Sequence, residues 1–339
     1  MNLQENISLT LLNTFHIAAK ARYYSLIKDE HTLQQLLKNP FLQNLPKLVL
    51  GGGSNILFVK DFEGWVIQMA LEGIQQVAAD SNHVLLRVGA GVPWHNLVLY
   101  CVEKGYAGIE NLSLIPGTVG AAPIQNIGAY GVELRDVFES LEAIEISTGT
   151  IKKFTKEDCA FGYRDSIFKN SLQGQYIIMY VTLRLSKQPT FHTSYGALQE
   201  VLAAKGVKQV SIQAISEAVI HIRQQKLPDP RLIGNAGSFF KNPVVDQQVA
   251  NRIKNEYPSL PIYPQADDQV KLSAAWLIEQ CGWKGYRRGA VGVYPHQALI
   301  LVNYGGALGQ EIYELAQDIQ QSIAQKFGIQ LVPEVNVIN

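Results

Sequence analysis

Short apolar runs separated by glycine-containing turns dominate the first half of the chain. Runs of four to nine residues bounded by turn residues are typical of β-strands. On this basis strands are predicted at 47–50, 56–59, 65–70, 83–91, 141–148 and 176–185. One helix is predicted at 93–105, because Pro93 stands at its start and Gly105 at its end. The first half therefore predicts a β-rich region with few helices.

The second half has the apolar spacing of amphipathic helices. In the segment 211–226, the same helical face would carry Ile212, Ile215, Val219 and Ile222. Further helices are predicted at 246–257 with Asp246 as N-cap, at 271–282 and at 310–328, followed by a strand at 331–339. The pattern changes near residue 70 and again near 205–215. Together these features predict an α+β fold with more than one domain.

Composition narrows the class of protein. The chain has 339 residues, of which 47% are hydrophobic and 17% charged, as in ordinary globular proteins. Basic and acidic residues are equal at 29 each, so we expect no nucleic-acid partner. No apolar run approaches the roughly 20 residues that span a bilayer, and no signal peptide is recognisable. We expect no membrane insertion and a cytoplasmic location.

Cysteine and histidine are too sparse for a disulfide framework or a metal site. The three cysteines, Cys101, Cys159 and Cys281, are far apart, and the seven histidines form no ligand motif. A reducing compartment and the absence of a protein-bound metal are therefore expected.

A glycine-rich turn follows the strand at 47–50. Backbone N–H groups of such a turn bind phosphate oxygens, and its predicted cofactor residues are Gly51, Gly52, Gly53, Ser54 and Asn55. No G-x-G-x-x-G motif opens a helix here and no P-loop is present, so a Rossmann fold and a nucleoside-triphosphate hydrolase are disfavoured. Taken alone, the turn could equally be an ordinary β-turn.

A second glycine-rich loop, 111–133, favours a cofactor-binding role over an ordinary turn. Its small residues would let a flat ligand lie against the backbone, and structureless loops of this length are usually functional. The predicted cofactor residues are Pro116, Gly117, Gly120, Ala121, Gln125, Asn126, Gly128, Ala129 and Tyr130. Two such loops in one half predict an extended dinucleotide, with its pyrophosphate on one loop and its reactive ring on the other.

Three polar residues outside these loops are candidates for chemistry. Ser238 lies on a glycine bend without the spacing of a nucleophile elbow, and a turn hydroxyl is the commoner reading. Arg164 precedes Asp165, where a surface ion pair is the alternative. Glu334 stands in an apolar segment predicted to be a strand, where a glutamate is unusual unless paired or functional.

Eight motifs in order resemble those of the UDP-N-acetylenolpyruvoylglucosamine reductase family of bacterial peptidoglycan synthesis. They are GGGSN, IPGTVGAAPIQNIGAYGVE, FGYRDSIFK, KLPDP, GNAGSFFKNP, YPQAD, VKLSAAWLIEQCG and PEV. The resemblance extends from about Asn13 to about Val337, and Tyr195 with its surroundings is similar to the subtype that has a substrate-capping loop.

This resemblance implies a fold and a division of the chain. The fold would be the FAD-binding fold of the vanillyl-alcohol oxidase (PCMH) type in two subdomains, with a C-terminal α+β substrate-binding domain. The boundaries would be 1–70, completed by the C-terminal strand 329–339, then 71–210, and finally 211–328 for the substrate domain.

The resemblance also implies a reaction, in which hydride passes from NADPH through FAD to an enolpyruvyl UDP-sugar and gives UDP-N-acetylmuramate. Arg164 would stabilise the developing charge, Ser238 would donate a proton, and Glu334 would act with Arg164. A lysine or Asn242 would polarise Ser238. The implied substrate-binding residues are Tyr163, Tyr195, Lys226, Asn242, Tyr263, Lys271, Lys284 and Gln297.

Two other functions are compatible with the residues alone. One is a different flavoenzyme on the same fold, such as an oxidase of small alcohols, which would not need Ser238, Arg164 and Glu334 together. The other is a non-catalytic nucleotide-binding module. Either a monomer or a weak dimer is expected.

Overall fold

A computed structural model describes residues 3–339 of the chain. The α-helices are α1 (Glu30–Leu37), α2 (Pro40–Gln43), α3 (Trp94–Lys104), α4 (Gly196–Ala204), α5 (Ile212–Lys226), α6 (Gln247–Glu256), α7 (Ala274–Gln280) and α8 (Gly309–Phe327). Short 3-10 helices occur at Thr10–Leu12, Glu110–Leu112, Val119–Gln125, Leu134–Asp136 and Ile167–Lys169.

The strands are interspersed with these helices, and several follow one another directly. They are β1 (Gln4–Ser8), β2 (Lys20–Ile27), β3 (Lys47–Leu50), β4 (Ile56–Phe58), β5 (Phe62–Met69), β6 (Ile74–Ala79), β7 (His83–Gly89), β8 (Gly128–Ala129), β9 (Val132–Glu133), β10 (Phe138–Glu145), β11 (Ile151–Thr155), β12 (Tyr176–Ser186), β13 (Val244–Asp246), β14 (Ile262–Pro264), β15 (Gln269–Leu272), β16 (Arg287–Arg288), β17 (Val291–Val293), β18 (Leu301–Asn303) and β19 (Asn336–Ile338).

The chain forms two compact units, each made of several chain segments. Unit 1 contains Ala21–Gly53 and Glu63–Gln225 together with the N-terminal residues through Ile7. Unit 2 contains Ser8–Lys20, Ser54–Phe62 and Lys226–Asn339. The first glycine-rich motif is thus divided, since Gly53 is the last residue of one segment and Ser54 the first of the next.

Unit 1 is built on a five-stranded antiparallel sheet with the order β11-β10-β12-β7-β6. Alternate residues of β7 are buried against α3, whose Trp94 donates its indole N–H to the carbonyl of Leu112 at 3.0 Å. That bond fixes the start of the second glycine-rich loop to the core. A four-stranded sheet, β1-β2-β5-β3, packs its apolar residues with α1 in a separate cluster around Trp65.

Unit 2 is organised around the long helix α8. Its buried face contains Ile312, Leu315, Ile319 and Ile323, the spacing of an amphipathic helix. At its start Gly309 lies so close to β4 that a Cβ would be 1.7 Å from the carbonyl oxygen of Phe58. β4 pairs in parallel with β19 at the C-terminus, and two three-stranded sheets, β13-β15-β14 and β16-β17-β18, complete the unit.

Most predicted elements are confirmed, with shifts of a few residues at their ends. The helix at 93–105 is α3, flanked by Pro93 and by Gly105, whose φ of 73° is left-handed. The predicted helix at 271–282 is shorter, because Lys271 lies on β15 and α7 begins after its N-cap, Ser273. Asp246 is the N-cap residue of α6, although its side chain makes no capping hydrogen bond.

The predicted strand 331–339 is confirmed only for Asn336–Ile338, and Glu334 lies in a bend before it. Pro333, which has no N–H to continue a ladder, makes an isolated bridge to Phe240. The helix α1 was not predicted, although aspartate is a favoured N-cap residue. In the structure, the Asp29 carboxylate caps this helix by accepting a hydrogen bond from Thr32 N–H.

Candidate active site

The two glycine-rich loops meet within unit 1. A Cβ on Gly51 would lie 2.4 Å from Oγ1 of Thr118, and a Cβ on Gly52 would lie 3.1 Å from Cα of Gly117. Glycine is therefore needed for the loops to approach each other, and not only for access to a ligand. The exposed residues next to this contact include Gly52, Pro116 and Ala121. A surface of such small or compact residues fits a flat cofactor.

The second loop stores an unusual amount of backbone strain. Five of its residues have left-handed backbone: Leu114 (φ 58°), Gly117 (104°), Asn126 (44°), Tyr130 (51°) and Gly131 (82°). Such conformations cost of order 1–3 kcal/mol each for residues other than glycine and persist only where the surroundings impose them. They concentrate at functional sites, which is consistent with a ligand-binding role for this loop.

The turn Gly162–Asp165 presents Arg164. The turn is closed by Gly162 N–H donating to Asp165 O at 3.1 Å, and Arg164 has a φ of 53°. An Arg164 Nη2 donates to the carbonyl of Gly128, in the second glycine-rich loop, at 2.7 Å. Its guanidinium also lies 5.5 Å from the ring centre of Tyr163. Three of the predicted site residues are thus brought together in unit 1.

The side chain of Asn126 is fully used inside the protein. Its Nδ2 donates to Glu133 Oε2 and to the carbonyl of Gly162, each at 3.0 Å, and its Oδ1 accepts from Arg135 N–H at 3.0 Å. The residue is also completely buried. A cofactor contact through the Asn126 amide, as its sequence position suggested, would require these bonds to break.

Arg223 is a candidate that the sequence reasoning missed. It lies on α5, and its Nε donates to the carbonyl of Leu114 at 3.2 Å. Burial lowers the pKa of Arg223, a hydrogen bond with the Tyr130 hydroxyl opposes that shift, and the charge of Arg164 adds to it. Two guanidinium groups near a strained loop provide positive charge suited to an anion. Helical spacing could have identified this residue, because Arg223 lies four residues after the buried Val219 and therefore on the same face of α5.

Tyr195 is held against the second glycine-rich loop. Its ring packs edge-on to that of Tyr130 with the centroids 5.3 Å apart, and about half of the residue is exposed. The buried Asn111 donates from Nδ2 to the carbonyls of both Tyr130 and His192 at 2.9 Å. The segment before Tyr195 is therefore fastened to the loop predicted to hold the cofactor.

In unit 2, the bend at Gly237 places Ser238. Gly237 has a φ of 71° and donates its N–H to Oδ1 of Asn235 at 3.1 Å. Asn235 in turn exchanges hydrogen bonds with Thr14, whose carbonyl and hydroxyl are both used. Thr14 thus supports the Ser238 bend through its two hydrogen bonds to Asn235.

Glu334 lies on the segment next to Ser238. The N–H of Glu334 donates to the carbonyl of Phe239 at 2.7 Å, and its own carbonyl accepts from Nδ2 of Asn55 at 3.2 Å. Ser238 itself makes a bridge to Ile300 on its other side. Two of the three predicted catalytic residues therefore occupy neighbouring segments of unit 2, while Arg164 belongs to unit 1.

The remaining predicted substrate residues of unit 2 differ in their surroundings. Tyr263 and Lys271 are directly opposite on β14 and β15, with the ammonium 5.9 Å from the ring centre. Lys284 forms an ion pair with Glu279 at 2.8 Å. Asn242 Oδ1 accepts from Ala274 N–H at 3.0 Å, which fixes the orientation of its side chain.

Of the last two predicted substrate-binding residues, one lies at the end of a helix and the other in a loop. Lys226 is the exposed last residue of α5. Gln297 lies in the loop before Ile300, with its Oε1 accepting from Leu299 N–H at 3.3 Å.

Within 3–339, no helix is long and apolar enough to cross a membrane. Over the same part of the chain, histidine, cysteine, aspartate and glutamate form no group of three or more suited to a metal ion.

The chain matches two protein families and full-length relatives. Residues 21–155 match the FAD binding domain family, and residues 228–338 match the family of UDP-N-acetylenolpyruvoylglucosamine reductase C-terminal domains. A UDP-N-acetylenolpyruvoylglucosamine reductase of Amoebophilus asiaticus is 68% identical over 338 residues, covering 100% of both chains. One from Pseudomonas putida is 48% identical over 98% of both chains.

The fold agrees with a solved structure. The crystal structure of UDP-N-acetylenolpyruvylglucosamine reductase from Thermus caldophilus matches 99% of this chain and 100% of that chain, with a TM-score of 0.70 at 23% identity. The expected FAD-binding fold with a C-terminal domain of mixed α and β structure is thus confirmed. The chain belongs to the UDP-N-acetylenolpyruvoylglucosamine reductase family.

Proposed function

We propose that this chain catalyses the NADPH-dependent reduction of an enolpyruvyl UDP-sugar, with FAD as the hydride carrier. The substrate is UDP-N-acetyl-3-O-(1-carboxyvinyl)-glucosamine and the product is UDP-N-acetylmuramate, a peptidoglycan precursor. The observation that carries the proposal is the contact between two glycine-rich loops in a chain whose residues 21–155 match an FAD binding domain. Relatives that match the full chain bear the name of this reductase.

The residues of both loops fit the proposed cofactor. Gly51, Gly52 and Gly53 with Ser54 and Asn55 would hold one part. Gly117, Thr118 and Ala121 of the second loop lie against Gly51 and Gly52. Gln125 and the segment Gly128–Tyr130 would hold another part. When bound, FAD supplies the capacity to accept hydride from NADPH and to pass it to the substrate. The chain has to bind, orient and shield the reacting groups.

Arg164 is the proposed partner of the substrate carboxylate. Hydride addition at C3 of the enol ether leaves negative charge at C2, which spreads into the adjacent carboxylate. A guanidinium can grip a carboxylate with two parallel hydrogen bonds and stabilise that charge as it develops. The left-handed turn and the bond to Gly128 fix the direction of this side chain before the substrate arrives.

Ser238 is the proposed proton donor to C2. The left-handed φ of Gly237 and its hydrogen bond to Asn235 fix the backbone bend next to Ser238. A serine hydroxyl is a weak acid, and Nδ2 of Asn242 or a neighbouring lysine would support its loss of a proton. Glu334, on the adjacent segment, is proposed to act with Arg164 at the enolate and to share a proton with the substrate carboxylate.

The diphosphate and uridine are proposed to bind through tyrosines and lysines. Lys271 and Tyr263, opposite each other on neighbouring strands, offer a cation beside an aromatic face. Lys284 would exchange its partner Glu279 for phosphate, and Gln297 and Lys226 would add further polar contacts. In unit 1, Tyr163 and Tyr195 complete the proposed substrate residues.

We further propose a cytoplasmic enzyme that works as a monomer or a weak dimer. The three cysteines are free thiols, in keeping with a reducing compartment. Analytical ultracentrifugation over a range of protein concentrations would check the oligomeric state.

The experiment follows the colour of the purified flavoprotein without oxygen. NADPH should bleach it, and the enolpyruvyl UDP-sugar should then restore the colour with formation of UDP-N-acetylmuramate. An oxidase of small alcohols would instead be bleached by an alcohol and would recover its colour rapidly with oxygen. A binding module would stay colourless, or yellow after NADPH, and either result would refute the proposed function.

A further inference from the structure

Three hydrogen bonds join the segment 162–166, which carries Arg164, to the segment 124–128 of the second glycine-rich loop. They run from Asn126 Nδ2 to Gly162 O (3.0 Å), from Arg164 Nη2 to Gly128 O (2.7 Å) and from Ser166 Oγ to Ile124 O (2.7 Å). Alternate residues of one segment thus bond to alternate residues of the other. We call this set of bonds the seam.

Asn126 and Ser166 are the two members of the seam that do not contact substrate in the proposed function. Each is completely buried. Asn126 has a left-handed φ of 44° and has both amide hydrogens and its oxygen bonded within the protein. Ser166 donates to Ile124 O and accepts from Phe168 N–H at 3.3 Å. Neither side chain has a donor hydrogen left for a ligand.

The seam acts on the turn that presents Arg164. Gly162 O accepts from Asn126 and also receives Asp165 N–H across the turn at 3.4 Å. This bond is the longer of the two that close the turn, the other being the 3.1 Å bond from Gly162 N–H to Asp165 O. The Arg164 backbone is strained at a φ of 53° and depends on its surroundings to remain so. Asn126 therefore supports the strained turn at the carbonyl that closes it.

A second set of contacts holds Asn126 itself in place. Glu133 Oε2 accepts from Asn126 Nδ2 and forms an ion pair with Arg135 Nε at 2.8 Å. The N–H of Arg135 donates back to Asn126 Oδ1 at 3.0 Å. The Asn126 amide is thus oriented from both ends, which makes it a rigid link between the two segments.

We propose that Asn126 and Ser166 are positioning residues that set the place of Arg164 relative to the flavin loop. This inference rests on the proposed function, in which Arg164 binds the substrate carboxylate. The seam makes the placement of that guanidinium depend on the loop that holds the cofactor. Removing a seam bond should therefore impair the transfer to the sugar nucleotide and spare reduction by NADPH.

The test is a double-mutant cycle between Asn126→Gly and Arg164→Ala. Glycine keeps the left-handed backbone at position 126 and removes only the side-chain bonds. The measured quantities are flavin content, the rate of bleaching by NADPH, and the rate and apparent KM of colour recovery with the enolpyruvyl UDP-sugar. Asn170→Gly is the matched control, because Asn170 Nδ2 donates to Asp165 Oδ2 and to Ser166 O, and neither bond reaches the segment 124–128.

We expect Asn126→Gly to retain flavin and bleach at the normal rate, but to recover its colour about 10- to 100-fold more slowly, the cost of misplacing a catalytic group by about 1 Å. In the Arg164→Ala background the same change should cost at most about twofold, because the group to be positioned is gone. Asn170→Gly should resemble the parent.

Equal losses in both backgrounds would overturn the positioning role and leave the proposed function intact. Unimpaired recovery in Arg164→Ala alone would instead refute the proposed role of Arg164. If Asn126→Gly does not fold, the cycle is run with Ser166→Ala, for which the same non-additive result is expected and additivity would equally overturn the proposal. Loss of flavin by either variant, without loss of fold, would assign these residues to cofactor binding and would also contradict it.

Discussion

Replacement of Gly51 by alanine tests whether the contact between the two glycine-rich loops is the basis of cofactor binding. The new Cβ would lie 2.4 Å from Oγ1 of Thr118, which is ~1 Å short of the 3.4 Å where ordinary contact begins. Its next neighbours, Ala121 Cβ at 3.5 Å and Thr118 Cβ at 3.7 Å, are at ordinary distances. The clash is therefore with a single oxygen.

The magnitude follows from the cost of overpacking, which is typically about 1–3 kcal/mol. If the loops separate to relieve the clash, flavin affinity should fall roughly 5- to 150-fold, the equivalent of that energy. Fluorescence titration of the flavin-free protein with FAD measures this change. Denaturant unfolding of the same preparations measures how much the substitution lowers the free energy of unfolding.

A second substitution should reverse the effect. Thr118→Ala removes the clashing oxygen, which is buried without a hydrogen-bond partner among residues 3–339, so its loss leaves no broken bond. Gly51→Ala combined with Thr118→Ala should bind FAD nearly as well as the parent. Gly196→Ala is the control, because its Cβ would meet open space. Normal FAD affinity in Gly51→Ala, or no recovery in the double variant, would refute the reasoning.

Three further predictions concern buried and half-buried titratable groups. Arg223→Met should keep the fold but weaken binding of an anionic ligand in unit 1 by at least about tenfold, as expected for a buried charge-assisted contact, and unchanged affinity for FAD and for the UDP-sugar would contradict this. Burial raises the pKa of Cys101 and of Cys159 to about 12, so at pH 8 a thiol reagent should label the half-buried Cys281 first and the other two only on unfolding. Burial and a nearby guanidinium lower the pKa of His95, so the unfolded state binds the proton more tightly and stability should fall as pH drops below about 6.5. A His95→Gln variant should lose this part of the acid sensitivity, and an unchanged stability profile against pH would contradict the assignment.

The sequence predicted the loops and the family better than it predicted individual side-chain contacts. Gly51 was recognised because a glycine turn after a strand has a local signature, and Gly117 because it lies in a long loop rich in small residues. The contact between these two loops was not predicted and is seen only in the structure. Asn126 was expected to contact the cofactor, because Gln125 and Asn126 offer uncharged hydrogen-bonding groups in a loop rich in small residues. Its bonds to Gly162 and Glu133 connect segments distant in sequence, which no local pattern reveals.

Arg223 and Glu334 show two other limits of the sequence pattern. Arg223 was overlooked because the residues that follow it to the end of α5 are all polar. Its spacing of four residues from Val219 nevertheless places it on the buried face of the helix. Glu334 was assigned to a strand from its apolar neighbours, but Pro333 interrupts the ladder and leaves it in a bend. The roles of Arg164, Ser238 and Glu334 came from the family resemblance and not from their spacing, and they remain predictions.

The central claim is that the protein supplies a proton from Ser238 after hydride reaches the substrate. It is tested most directly by comparing the two half-reactions in Ser238→Ala by rapid-mixing spectroscopy. The account predicts that NADPH bleaches the flavin of the variant at the normal rate, while recovery of colour with the enolpyruvyl UDP-sugar becomes slower by at least about 100-fold, the scale of general acid catalysis. Recovery at a near-normal rate, with UDP-N-acetylmuramate as product, would contradict it.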